Sequence, residues 1–176
     1  MTSPPLQTPL FQTERTAVRE LTAAHAGFIR ELLNQETFLR FIGDRNVRTI
    51  DDAVTITDTR YGQSYRDHGY GLYAVCDRAT DEAMGLCGFV RRAELPAPDM
   101  GFAFLPAYEG RGIAFEAGAA TLAYGREVLE LERVLAIVSA ENARSHRLLA
   151  RLGFSSCGTV SLSGETSVLD LYARTL

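Results

Sequence analysis

The chain has 176 residues, of which 46% are hydrophobic and 23% charged, and these values predict one globular domain with a hydrophobic core. Its net charge is −4 and its basic residues are scattered, which argues against nucleic-acid and anionic-membrane partners. No apolar run approaches the length of a membrane span. The three cysteines (Cys76, Cys87 and Cys157) lack metal-ligand spacing, so we expect buried free thiols in a reducing cytoplasm and no metal site.

The first twelve residues differ in composition from the rest of the chain. Residues 1–12 are rich in Pro, Thr and Gln and have no basic stretch ahead of an apolar core. We interpret them as a loose leader and not as a signal peptide. Residues 13–176 contain no repeat, low-complexity tract or linker, so they are predicted to form a single domain.

Hydrophobic periodicity predicts one strand and then three helical segments in the first part of the chain. Thr22 and Thr49 are suited to cap two of these helices. Tyr61 and Tyr65 lie one turn apart on the last helix, either as its buried edge or as the wall of a substrate pocket. The expected elements are a strand at 15–21, a helix at 23–35, a short helix at 36–42, and a long helix from Thr49 that ends before Gly69.

The second part of the chain alternates strands with helices, which predicts an α/β domain with a mixed sheet. The expected elements are hairpin strands at 70–76 and 83–91, a strand at 100–105, a helix at about 112–129, a strand at 133–139, a helix at 142–152, and closing strands at 154–162 and 166–174.

The segment after the strand at 100–105 carries two glycines around one arginine, Gly110-Arg111-Gly112, where the next helix begins. Closely spaced glycines let the backbone turn its N–H groups inward, and the first turn of a helix adds unpaired donors. Together they predict a site for an anion, most often a phosphate. A Walker A loop is excluded because no Gly-Lys-Ser/Thr follows. A dinucleotide fingerprint is disfavoured because the bulky Phe115 stands where a small residue is needed.

A second polar feature lies in the helix at 142–152, where positions 142, 145, 149 and 152 share one face. Leu149 and Leu152 indicate that this face points to the sheet, so Asn142 and Ser145 are expected to point inward as well. Inward polar groups need partners. The pair either caps the helix or reaches a ligand, and the two interpretations are compatible.

These features together resemble the GNAT acetyltransferase superfamily, and in particular the branch that contains the bacterial ribosomal-protein N-terminal acetyltransferases. The resemblance rests on the motif Pro-x-x-x-Gly-Arg-Gly-x-Ala-x-Glu-Ala at 106–117, followed by a strand and by Asn142-x-x-Ser145 with Leu-Gly-Phe at the end of its helix. It implies a GNAT fold of the α/β (α+β) class: a mixed, mostly antiparallel sheet of about seven strands with a splayed central pair, flanked by about four helices. It also implies acetyl-CoA as the co-substrate and no metal.

The resemblance further implies which residues bind acetyl-CoA and which perform the chemistry. The backbone of Phe104 and the side chain of Asn142 would hold the pantetheine arm, and the Phe104 N–H would polarise the thioester carbonyl. Ser145 would protonate the leaving thiolate, because Leu149 stands where other branches carry a tyrosine. The pyrophosphate would be held by the amides of Gly110, Arg111, Gly112, Ile113 and Ala114.

The general base and the first residue of the loop are less constrained. Asp99, which starts the central strand, and Glu165, in the last hairpin turn, are the candidate bases, although both also suit a plain turn. Glu109 stands where the family carries Arg, Gln or an aromatic residue. A carboxylate beside a pyrophosphate is unfavourable, so we expect Glu109 to point away, the other option being a pair with a cation such as Arg111.

The implied activity is direct acetyl transfer from acetyl-CoA to a primary amine, without an acyl-enzyme. The acceptor is either a protein N-terminus or a small molecule, and the sequence shows aromatic residues but no decisive charge cluster where the acceptor would bind. The alternative is a non-catalytic GNAT module that senses acyl-CoA. Dimers are common in the resembling family, so a homodimer is a further expectation.

Overall fold

The computed structural model describes residues 8–176, and their strands form one eight-stranded sheet in the order β1-β2-β3-β4-β5-β6-β8-β7. All neighbouring strands are antiparallel except β5 and β6, which are parallel. The predicted mixed, mostly antiparallel sheet is therefore confirmed, with eight strands in place of about seven. The strands are β1 (Phe11–Gln12), β2 (Thr16–Glu20), β3 (Leu72–Asp77), β4 (Ala83–Val90), β5 (Asp99–Phe104), β6 (Arg133–Val138), β7 (Ser155–Ser161) and β8 (Val168–Thr175).

Within this part of the chain six α-helices accompany the sheet, together with short 3-10 turns at Ala23–His25 and Pro106–Tyr108 and a π-helical segment at Thr57–Gly62. None of the helices in residues 8–176 combines the length and the apolar character needed to cross a bilayer. The helices are α1 (Ala26–Leu33), α2 (Glu36–Phe41), α3 (Ile50–Ile56), α4 (Gln63–His68), α5 (Ile113–Glu127) and α6 (Ala143–Arg151).

The predicted long helix from Thr49 to Gly69 is present, but its middle turns are π-helical and join α3 to α4. Thr49 caps it in a reciprocal box: its side chain accepts from the Asp52 N–H (3.1 Å), and the Asp52 carboxylate accepts from the Thr49 N–H (2.8 Å). Gly69 ends the helix at φ +74°, a left-handed conformation that favours glycine.

The predicted loose leader at 1–12 lies outside the described residues as far as position 7. Its last two residues are not loose: Phe11 and Gln12 pair with Val18 and Ala17 of β2. The Phe11 ring also packs on Tyr124 of α5, with 4.9 Å between ring centroids. A two-residue strand without alternation carries no sequence signal, which explains the error.

Two apolar layers cover the two faces of the sheet. Alternation along β3 sends Tyr73 and Val75 toward α5 and α6, and Ala74 and Cys76 toward α1 and α3. The predicted burial of free Cys76 and Cys87 is confirmed, whereas Cys157 on the edge strand β7 is exposed.

Parallel strands β5 and β6 pair at a single position, Asp99 with Leu135, where the Leu135 N–H donates to the Pro98 carbonyl (2.9 Å). Beyond it the strands diverge toward their carboxyl ends, which confirms the predicted splayed central pair. Ligands of sheets with parallel strands commonly bind in such a crevice, and here it lies between the glycine loop and the N-terminus of α6.

Candidate active site

The gap between β5 and β6 exposes backbone donors of β5. The Leu105 N–H donates to the Met84 carbonyl of β4 (2.9 Å), so it points away from the gap. Successive peptide groups along a strand point to opposite edges, and the N–H groups of Phe102 and Phe104 therefore face the gap. An extended chain with amide groups can pair with these donors in the way that an added strand would.

The glycine loop adopts the conformation that its sequence predicts. Gly110 and Gly112 have φ angles of +72° and +76°, and Gly112 is the N-cap of α5. A side chain with a Cβ is strained in this region, which gives both glycines a conformational reason. The first N–H groups of α5, from Ile113 onward, point back toward the loop without intrahelical partners. Loop and helix start thus present donors to one point.

The β1–β2 hairpin holds this loop in place from behind. Arg15 donates from Nη1 to the Arg111 carbonyl (2.9 Å) and from Nε to the Glu116 carboxylate (2.6 Å). Glu116, in the first turn of α5, also accepts from the Arg15 N–H (2.9 Å) and from the Thr13 hydroxyl (2.6 Å). Sequence reasoning included Glu116 in the motif but assigned it no role. Its position indicates that it fixes the start of α5 against the hairpin.

A cavity of about 470 Å³, here called the loop cavity, lies in front of the glycine loop. Its wall contains Phe104, the two loop glycines, Ile113, Ala114, Asn142 and Ser145, so it brings together most of the residues that the sequence predicts to bind acetyl-CoA. The Arg111 side chain is not part of this wall and lies beside the Tyr108 ring, 5.9 Å from its centroid.

The N-terminus of α6 forms the opposite side of the loop cavity. Asn142 is its N-cap, and its Oδ1 accepts from the Ser145 N–H (3.2 Å). Both residues are half-buried and line the cavity, while Leu149 below them is fully buried. The predicted inward face is therefore present, and capping and exposure to the cavity coexist as expected.

Three arginines of α6 also line the loop cavity, and sequence reasoning missed them. Arg144, Arg147 and Arg151 recur at intervals of three and four residues, which places them along one side of the helix. Arg151 lies over the Phe115 ring, 4.4 Å from its centroid. The spacing was visible in the sequence, but charged helix faces are usually solvated. In the folded chain these arginines line the loop cavity.

Glu109 lies in the wall of the loop cavity, so the expectation that it points away is wrong. Its carboxylate forms an ion pair with Arg144 of α6, not with Arg111. This pair links the glycine loop to the first turn of α6 and neutralises the carboxylate where an anion would bind. The partner could not be chosen from the sequence because it lies 35 positions away.

A second cavity of about 720 Å³, here called the arginine cavity, lies on the α2 and α3 side of the sheet. Its wall contains Arg40, Arg45, Arg60 and Arg92, together with the acidic residues Asp99, Glu141 and Glu165. The two cavities share seven residues, and they meet in the gap between β5 and β6 at Phe38, Phe41, Ile42, Phe102, Ala103, Asn142 and Ser145. Ser145 is therefore accessible from both sides.

Both candidate bases belong to the arginine cavity, in different environments. Asp99 is 2% exposed and accepts from Arg92 Nε (3.0 Å). Burial raises the pKa of Asp99 to about 6, while the positive charge of Arg92 acts in the opposite direction. Glu165 is exposed in the β7–β8 turn. A carboxyl group with a pKa near 6 can exchange a proton close to neutral pH, which favours Asp99 as a base.

Several other candidates have structural partners. Tyr65 accepts from the Leu21 N–H (3.0 Å) and stacks on Tyr73, which supports its interpretation as a buried edge. Tyr61 is also buried but contributes to the arginine-cavity wall, so both interpretations apply to it. Arg91 donates to the Leu95 carbonyl (2.7 Å) at the end of β4 and is not in either cavity wall.

Such a site, with an anion loop and a splayed parallel pair beside a polar helix terminus, is that of an acyl-CoA-dependent transferase. The sequence matches the family described as "Acetyltransferase (GNAT) domain" over residues 15–155, and the chain belongs to this family of acetyl-CoA-dependent N-acetyltransferases. The fold and the enzyme class predicted from the sequence are thereby confirmed.

Individual relatives agree on the family and differ in their acceptors. An uncharacterised N-acetyltransferase of Bacillus subtilis, YoaA, is 28% identical over 158 residues and is matched over 86% of each chain. The [ribosomal protein uS5]-alanine N-acetyltransferase of Escherichia coli is 33% identical, but over only 51% of this chain and 45% of its own. The structure of a Vibrio cholerae spermidine N-acetyltransferase in complex with CoA and spermine has a TM-score of 0.75, at 18% identity over 93% of this chain and 96% of that chain.

Proposed function

We propose that this protein transfers the acetyl group of acetyl-CoA directly to a primary amine that enters through the arginine cavity. The observation that carries the proposal is the meeting of two cavities at Ser145, inside the gap between β5 and β6. One cavity has the donors for a phosphorylated cofactor arm, and the other adjoins it and extends toward the β7–β8 turn. Two substrates that enter through the two cavities can meet in the gap.

The loop cavity suits acetyl-CoA in three respects. The amides of residues 110–114 form an anion seat for the pyrophosphate, and Arg147 adds positive charge without an ion pair among the described residues. The gap-facing N–H groups of Phe102 and Phe104 and the Asn142 side chain suit the amides of the pantetheine arm. Acetyl-CoA supplies the activated acetyl group as the second substrate.

We assign the chemical roles as follows. The Phe104 N–H polarises the thioester carbonyl, which makes its carbon more electrophilic. The amine nitrogen forms a bond to this carbon as the C–S bond breaks, and its proton passes to Asp99 through a chain of water molecules, because about 16 Å of extended strand separates Asp99 from Phe104. Ser145 donates a proton to the departing thiolate sulfur and regains one from water, to which Asp99 releases the proton that it took from the amine. No covalent acyl-enzyme is needed, because both substrates are present together.

The acceptor is proposed as either a peptide N-terminus or a small-molecule amine. The local similarity to a ribosomal-protein alanine acetyltransferase supports the first, although it covers half of this chain. The overall structural likeness to a spermidine acetyltransferase supports the second. We also propose a single domain at 13–176 from the length of the chain, a cytoplasmic location from its free cysteines, and a homodimer because dimers are common in this family.

Release of free CoA thiol tests the proposal. Purified protein with acetyl-CoA and the amine fraction of a cell extract should release thiol and yield a product heavier by one acetyl group in mass spectrometry. Omission of the amines should stop the release. The alternative, a non-catalytic acyl-CoA sensor, predicts that acetyl-CoA raises the melting temperature while no thiol appears with any amine. That outcome would overturn the proposed enzyme.

A further inference from the structure

We propose that the arginine cavity accepts amines that also carry an oxyanion, either a carboxylate or a phosphate, and that Arg45 and Arg60 bind this group. The inference rests on the proposed acetyl transfer to an amine and narrows the class of acceptor. It concerns the part of the cavity at Arg45 and Arg60, whereas the reacting atoms meet at Ser145.

The charges in this wall are unevenly paired. Arg40 forms an ion pair with Glu141 (3.1 Å), and Arg92 forms one with Asp99 (3.0 Å). Among residues 8–176, neither Arg45 nor Arg60 has a hydrogen bond or an ion pair with another side chain. Glu165 is the remaining acidic residue of the wall, and it is exposed in a turn. Two cations thus face the cavity with at most one loosely placed counter-charge.

The environment of Arg45 makes this arrangement costly without a ligand. Burial lowers the pKa of Arg45, and the positive charges of Arg60 and Arg92 act in the same direction, while Tyr61 and the exposed Glu165 offset part of this effect. The side chain is half-buried, in a segment between α2 and α3 that is held to the end of α1 by Asn34, whose side-chain amide donates to the Val47 carbonyl (2.7 Å). A cation that is partly desolvated beside like charges gains most from an anion. Carboxylate and phosphate groups match the planar guanidinium fork.

The cluster also runs against the rest of the molecule, which has a net charge of −4. A polyamine acceptor would meet repulsion from these arginines, because every end of a polyamine is cationic. An amine with an anionic end can instead place its reacting nitrogen near Ser145 and its carboxylate or phosphate near Arg45. Repulsion of diamines and attraction of amines that carry an oxyanion would together set the specificity for the acceptor.

Matched acceptors test this inference in protein saturated with CoA or acetyl-CoA, so that the glycine loop is already occupied. The pairs are γ-aminobutyrate with its amide and phosphoethanolamine with ethanolamine, and putrescine serves as the dicationic acceptor. We expect kcat/KM for the better anionic amine to exceed that of its neutral partner by about tenfold or more, and putrescine to be the poorest. The two anionic arms distinguish carboxylate from phosphate recognition.

Variants separate charge recognition from folding. Arg45→Gln should raise KM for the anionic amine about tenfold and leave kcat and CoA affinity unchanged, and Arg45→Lys should retain part of the preference. Arg60→Gln should act in the same direction with a smaller effect, since Arg60 is exposed. Arg126→Gln, an exposed arginine outside both cavities, is the matched control and should change nothing.

Calorimetric binding of the same amines to the CoA-saturated protein tests anion recognition at Arg45 and Arg60 separately from acetyl transfer. Preferential binding of the anionic members, lost in Arg45→Gln, would support the inference even if no thiol were released and the proposed enzyme failed. Acetyl transfer to amines without preference for the anionic members would leave the enzyme standing and overturn the inference. Equal binding of anionic and neutral members, or a preference that Arg45→Gln leaves intact, would also overturn it.

Discussion

The loop cavity and the arginine cavity adjoin the same gap but are built in different ways. The loop cavity presents backbone N–H groups from one short stretch, Gly110 to Ala114, and from β5. The arginine cavity presents side chains from segments that are far apart, with Arg45 before α3, Arg92 after β4 and Glu165 between β7 and β8. Backbone donors in a local motif suit acetyl-CoA, the substrate that is the same throughout the family. Side chains from separate elements can be substituted independently, so they suit the amine acceptor, which differs between relatives.

The largest effect, on CoA affinity, is expected from a substitution in the glycine loop that lines the loop cavity. Gly112→Val forces a β-branched residue to φ +76° and displaces the amides at the start of α5, so CoA affinity in calorimetry should fall about a hundredfold. Gly69→Val is the matched control, because Gly69 has φ +74° but lies in neither cavity wall. It should lower the melting temperature and leave CoA affinity unchanged. An equal loss of affinity in both variants would mean that only general strain was measured.

A smaller effect is expected at the junction of the two cavities. Ser145→Ala removes the proposed proton donor, and kcat should fall about thirtyfold with CoA affinity unchanged. The expected loss is modest for a general acid because a thiolate is a good leaving group. The exposed Ser156→Ala on β7 is the control and should retain full turnover. If chemistry limits the rate and Ser145→Ala turns over normally, Ser145 has no catalytic role.

The low-pH part of the pH–rate profile, here called the acid limb, tests whether Asp99 of the arginine cavity is the general base. A base works deprotonated, so kcat/KM, calculated on the concentration of the neutral amine, should fall as the pH drops through about 6, the pKa to which burial raises Asp99. Asp99→Asn should lower kcat/KM about tenfold at neutral pH and remove the limb. Arg92→Gln should move the limb to higher pH, because Arg92 holds the pKa of Asp99 down. Loss of the limb in Glu165→Gln, with Asp99 intact, would transfer the role to Glu165.

The smallest effect is expected at the Glu109–Arg144 ion pair, which lies in the wall of the loop cavity. Arg144→Gln leaves the Glu109 carboxylate without its partner beside the anion site, so CoA affinity should fall about threefold to fivefold, and less in high salt. The double variant Glu109→Gln/Arg144→Gln should recover most of the loss, which a calorimetric double-mutant cycle measures. Glu109→Gln alone should change affinity little. If Glu109→Gln instead tightened CoA binding tenfold, the carboxylate would be repelling the anion despite Arg144.

The glycine loop and the N-terminus of α6 were predictable because the sequence patterns that define them span only a few residues. Gly110 and Gly112 at a strand-to-helix junction require positive φ angles, and Asn142 and Ser145 share a helix face with Leu149, so both features follow from spacing alone. Errors occurred where a residue's partner is distant. Glu109 was expected to point away, yet Arg144 pairs with it across the cavity mouth. Phe11 was assigned to a leader, yet it packs on α5.

The sequence by itself determined the place of the anion loop and the helix caps, because glycine conformation, capping and hydrophobic period act over a few neighbouring residues. The resemblance of its motifs to the GNAT family indicated the family and the fold class. Tertiary structure alone decided which charges meet. Arg45, Arg60 and Arg92 are scattered along the sequence, and they form one cavity wall only because the α2–α3 connection, the π-helical segment and the β4–β5 connection converge on the splayed strands. Electrostatic interactions depend on distance in space, which a linear pattern does not contain.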